Sequence, residues 1–142
     1  MRAKPIAYWA TTAILAVAVL SGGLAELVRR TDNVEGMVHL GYPLYFVTII
    51  GFWKVLGGLA LLAPRFPRLK EWAYAGIFFN MTGAFVSHVA LGDGAGHLIA
   101  TGVLAGLTVV SWALRPQSRM LGTPMLESGA RRRIVVAERA AA

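Results

Sequence analysis

Lys54 and Asn80 are polar residues in positions that need a reason. Lys54 lies inside the apolar run Tyr42–Ala63, and Asn80 near the middle of the next, Trp72–Leu91. Each run is about the 20 residues that a helix needs to cross a bilayer's hydrocarbon core. At 1.5 Å per residue Lys54 lies about 18 Å deep, near the midplane. A lysine there costs roughly 2.5–3.5 kcal/mol on insertion and normally faces a bundle interior, a partner or water. Ala73, Gly76, Asn80, Gly83, Ala84, Ser87 and His88 fall near one face at helical spacing, a small and polar stripe beside Phe78, Phe79 and Phe85. Lys54 and Asn80 match in depth, so a hydrogen bond between them is expected. That bond serves either to join two helices or to handle a ligand or proton; the alternative is a lysine that snorkels.

A second group gathers at one end of the same runs. Glu26 lies one turn from the end of the first apolar run and His88 one turn from the end of the third, so a Glu26–His88 pair is expected. His39, Asp93 and His97 sit in the adjoining connectors and form an outer-side polar cluster. Histidine there has three uses: to protonate, to ligate a metal, or to hydrogen-bond a carbonyl. No histidines stand four apart and no metal motif is present, so no metal site is assigned. The candidate ligand-binding residues are Lys54, Asn80, Glu26, His88, Ser87 and Tyr42. Lys70, Glu71 and Trp72 are the candidate cytoplasmic contact.

Four elements must position these side chains. The apolar runs are Ile6–Val28, Tyr42–Ala63, Trp72–Leu91 and His97–Leu114. The first resembles a signal peptide, with Ala16-Val17-Ala18 as a small-residue site. It is longer than a 7–15-residue signal core and ends in Ser21, Gly22, Gly23 and Glu26, so it is expected to stay as a span. Residues 29–40 are read as a polar connector, and residues 64–70 as a turn that no helix traverses. Short connectors imply antiparallel neighbours. The expected fold is all-α, a polytopic membrane protein with one antiparallel bundle of four transmembrane helices over residues 1–121. Gly102 and Gly106 suit close helix packing. Residues 122–142 form a basic tail expected to be disordered in the cytoplasm, with Arg131, Arg132 and Arg133 near anionic lipid.

Composition supports the same class. Of 142 residues 56% are hydrophobic and 15% charged, well below the roughly one quarter charged of a soluble domain. The net charge of +7 invites a nucleic-acid reading. The basic residues, however, sit beside apolar spans, where orientation and lipid explain them, so nucleic acid is excluded as a partner. Eleven of the fourteen Lys and Arg fall on the side of the termini, against Arg29 and Arg30 on the other. Both termini are therefore expected in the cytoplasm, in a multi-pass protein of the cell membrane. The chain has no cysteine, which removes disulfides and catalysis through its own thiols.

The central block resembles the DoxX-like family of small four-helix membrane proteins. The resemblance rests on Gly41-Tyr42-Pro43, Gly51 with Lys54, Leu56-Gly57, Leu69 to Gly76, Gly83-Ala84, Ser87-His88 and Gly92-Asp93. Ser111-Trp112, Arg115-Pro116 and Arg119 resemble the family's closing segment. The resemblance implies four transmembrane helices and, through the family's name, a link to quinone-coupled oxidation of sulfur compounds and to redox-stress complexes. A quinone is the cofactor class it implies. The candidate partners are the lipid bilayer, a redox protein and a second copy of the chain.

Three functions compete: a redox-associated subunit binding a small apolar molecule such as a quinone, a small proton-coupled transporter, and a scaffold recruiting a cytoplasmic partner. No residue pattern demands an enzyme.

Overall fold

The computed structural model describes residues 3–121. The tail 122–142, with its expected disorder and lipid contact, lies outside them. Five α-helices follow one another: α1 (Ala3–Leu27), α2 (Thr31–His39), α3 (Leu44–Leu62), α4 (Pro67–Leu91) and α5 (Ala95–Ala113), with a short 3-10 turn at Gln117–Arg119. No strand occurs among the described residues. The four longer helices are each long and apolar enough to cross a membrane. The 19-residue α3 and α5 measure about 28 Å, close to the hydrocarbon thickness.

Two connectors differ from expectation. Residues 31–39 are helix α2 rather than an irregular link, and Asp32 lies in its first turn, where an acid suits the helix dipole. α4 starts at Pro67, five residues before Trp72. Proline fits a first helical position because its missing N–H has no intrahelical partner there. The reversal is confined to Arg65 and Phe66, both with positive φ. Lys70 and Glu71 therefore belong to a helix, and this changes what they can do. At the far end of α4, Gly92 takes φ +70°, so that its own N–H and that of Asp93 bond back to Val89 and His88 carbonyls. This left-handed stop suits glycine and points Asp93 back toward the helix it leaves.

α1 packs most closely on α3 and α4 on α5, while α1–α5 and α3–α4 contacts close the bundle. All four contribute to one core of Leu15, Val19, Ala60, Leu61, Ala73, Tyr74, Ile77, Met81 and Ala105. The outer faces carry exposed apolar groups, among them Val17, Trp53, Phe79 and Ile99. Such a surface suits lipid rather than water.

Candidate functional site

The closest helix contact positions the deepest charge. A Cβ built on Gly23 of α1 would lie 2.8 Å from Lys54 Cβ and 2.9 Å from Gly51 O. One on Gly51 of α3 would lie 2.9 Å from Glu26 Cβ. Glycine at both positions lets the backbones touch, and each helix then presents its charged residue, three positions on, to the other. Lys54 Nζ reaches Glu26 Oε1 at 2.5 Å, with side chains 17% and 4% exposed. The second oxygen, Oε2, is buried without a partner.

This replaces both expected pairings. Gly57 packs against Ile77, and Lys54 and Asn80 each lie three residues from that contact. Their depths correspond, but Lys54 leaves α3 on the side that faces α1, so Glu26 takes it. Asn80 makes no side-chain hydrogen bond among the described residues. Glu26 in turn does not meet His88.

His39, His88 and His97, expected on the outer side, gather around Asp93. His88 Nδ1–H donates to Oδ2 at 2.6 Å and His39 Nε2–H to Oδ1 at 2.8 Å, since a carboxylate only accepts. His97 stacks on His88, with ring centroids 4.9 Å apart. The hydrogen bonds from His88 and then His39 hold the Asp93 carboxyl below its usual value. Beside them Ser87 Oγ–H donates to Gly83 O at 2.9 Å. Tyr42 must therefore be the donor in the 2.9 Å contact between its hydroxyl and Ser87 Oγ. These ties connect α2 and the start of α3 to α4. Among the described residues no three His, Asp or Glu side chains form a set able to hold a metal ion.

The other end, where α1 begins and α5 stops, contains a polar network that sequence reasoning missed. Lys70 is fully buried. Its ammonium donates to Ala60 O and Leu61 O, each at 2.8 Å, and to Ala63 O. All three of its N–H bonds go to carbonyls at the end of α3, the negative end of that helix. Glu71 takes Arg115 Nη2 on Oε1 at 2.8 Å and Trp112 Nε1 on Oε2 at 2.8 Å. The Arg115 guanidinium lies over the rings of Tyr74 and Trp112, and its Nη1 is buried without a partner. Ser111 Oγ meets Tyr74 OH at 2.8 Å and Thr12 Oγ1 at 2.7 Å. Arg119 Nη1 donates to Tyr8 OH and Leu61 O, both at 3.2 Å, with the guanidinium 4.5 Å from the Trp9 ring centroid. Lys70 and Glu71 are thus internal ties rather than a surface contact, and of the three only Trp72, 81% exposed, projects outward. The available signal was a lysine and a glutamate adjacent at a helix start, facing two arginines just past another helix's end.

A cleft of about 300 Å³ opens between α4 and α5. Tyr74, Phe78, Phe79 and Trp112 form aromatic walls, Ala75, Val109 and Thr108 fill between them, and Glu71 stands at one end. None of the six residues expected to bind a ligand lines it.

Length, apolarity and interior charge pairs together define an α-helical, multi-pass membrane protein. Residues 10–111 match the DoxX-like family, and the chain belongs to that family. It is similar to the uncharacterized protein YdgD of Bacillus subtilis (strain 168), 39% identical over 77 residues, which cover 53% of this chain and 67% of that protein. No solved structure matches the chain.

Proposed function

We infer that the protein is a redox-associated membrane subunit that binds a small apolar ring molecule of the quinone class in the α4–α5 cleft. One observation carries this reading: an aromatic-walled cleft of about 300 Å³ has a single charged group, the Glu71 carboxylate held by Arg115 and Trp112, at one end. Flat rings gain from offset or edge contact with Phe78, Phe79 and Trp112. The family resemblance supports the same ligand class, as an analogy. In this reading the four spans are antiparallel and both termini face the cytoplasm. The cleft then opens toward the lipid near the cytoplasmic interface, and the exposed Trp72 beside it offers a contact to a redox partner protein or a second copy of the chain.

Purified protein titrated with a short-chain quinone should show quenched tryptophan fluorescence. Trp112→Phe should remove most of that response, and Ala75→Phe, which fills the cleft, should weaken binding at least about tenfold, or about 1.4 kcal/mol. Absence of quenching in the unmodified protein sinks the reading. So does competition by saturated acyl lipid as strong as by quinone, which would make the cleft an ordinary lipid groove.

A further inference from the structure

Glu26 and Lys54 stand apart from the α4–α5 cleft, and theirs is an ion pair between two neighbouring spans at their backbone contact. Glu26 is 3% exposed, Lys54 Nζ sits 2.5 Å from Oε1, and Oε2 has no donor. A buried carboxylate oxygen left without any donor is destabilising. A pair retained only to join two helices has no need of such a cost, since Gly23 and Gly51 already bring the backbones into contact. A well-packed apolar pair of similar volume is often as stable or more so. Ionisable residues inside a membrane mark ion or proton pathways by default.

We propose that Glu26 Oε2 is a proton-exchange site, with Lys54 as its resident counter-charge. In the deprotonated form the carboxylate and the ammonium cancel. Uptake of one proton from water forms the O–H bond at Oε2 and gives the site a net charge of +1; release to water restores the neutral pair. No other bond forms or breaks. Lys54 is the more exposed member, so its ammonium is the group that turns toward water when the pair loosens. Most of the surrounding charges have partners of their own. Arg29, at the end of α1, bonds Thr48 Oγ1 of α3 at 3.4 Å, and Arg30 pairs with Asp32 of α2 at 3.4 Å. The other titratable groups of α2 are Glu35 and His39, and His39 is held by Asp93. From α4 and α5, His88, Asp93 and His97 close on one another. Lys54 is therefore the charge in direct contact with Glu26.

Infrared difference spectroscopy on the whole protein in lipid, with isotope-labelled glutamate, reads this directly. Acidifying the buffer from an alkaline start should produce a reversible protonated-carboxyl C=O band belonging to one glutamate and absent from Glu26→Gln. Lys54→Met removes the counter-charge, and the band should then appear earlier in the acidification than in the unmodified protein. A spectrum of the unmodified protein that never shows the band overturns the proposal, as does a band that survives Glu26→Gln. A helical Lys54→Met protein without the band at any pH would do the same. The first measurement needs no variant to fold. The quinone titration is a separate experiment, so either reading can fail alone.

Discussion

Lys70 shows how far one side chain can be committed. Its ammonium closes the end of α3 from α4, three donors on three carbonyls, with no exposure to solvent. Lys70→Met keeps the stem and removes the donors. Hydrogen bonds to a charged group contribute about 1.5–3 kcal/mol, so a loss of about 3 kcal/mol is expected, read as a lower unfolding temperature in detergent. Lys70→Arg should recover part of it, because a guanidinium also donates but cannot match three carbonyls around a point. Asp93 carries a different dependence. Its carboxyl is lowered from 3.8 by the His88 and His39 hydrogen bonds. A depressed acid contributes stability that is fully present above its ordinary value and lost as pH falls through the lowered one. The tie between α2 and the α4–α5 turn should therefore persist through neutral pH and fail only in strong acid. Asp93→Asn should speed hydrogen exchange of the α2 amides several-fold at neutral pH. Unchanged exchange would mean that other contacts hold α2.

At the scale of elements, the α1–α3 crossing is the contact with the least tolerance. Gly23→Val would drive a side chain into Lys54 Cβ and Gly51 O, and the backbone there has nowhere to go. Overpacking of this kind costs about 1–3 kcal/mol and should also displace Lys54 from Glu26. Gly76→Ala is the control, since nothing lies within 4 Å of its added carbon. Comparable thermal stability of the two variants would deny the crossing its importance. The four spans were legible because their length and apolarity are one-dimensional properties of the chain. Depth was legible only in part: Lys54 and Asn80 lie equally far from the Gly57–Ile77 contact, whereas Glu26, expected one turn from its helix end and level with His88, meets the mid-span Lys54. Direction around the helix was not legible. It depends on which neighbour packs where, and the mirrored spacings Gly23/Glu26 and Gly51/Lys54 were the sequence trace of that contact. Helix α2 was missed because a short polar segment carries little periodicity, and Lys70 because a basic residue beside two prolines looks like a turn. The outer cluster of His39, Asp93 and His97 was legible as a gathering at one end. Its centre on Asp93 came from the glycine stop of α4.

For the whole molecule, the two ends differ in kind: imidazoles and carboxylates at the α2 end, arginines, lysines and interfacial tryptophans at the other. Lys70, Arg115 and Arg119 are folded into the bundle, but this does not remove them from the charge balance that sets orientation. They still count, because orientation is decided as the chain inserts, before helix packing engages those side chains. The termini and the α3–α4 turn are therefore expected on the cytoplasmic side, with α2 and the α4–α5 turn outside. The absence of cysteine makes this directly measurable. Single cysteines at Asp32 and Gly94 should react with an impermeant maleimide in intact cells. Single cysteines at Pro64 and Gln117, both exposed, should react only after the membrane is opened. Substituting these four positions removes no Lys or Arg, so the variants leave the positive charge that sets orientation unchanged. The reverse labelling would place the α4–α5 cleft at the outer interface and the α2 end of the bundle, toward which Glu26 lies, in the cytoplasm, inverting the direction from which a proton reaches it. Labelling of all four from outside would exclude a crossing between them and with it the four-span bundle.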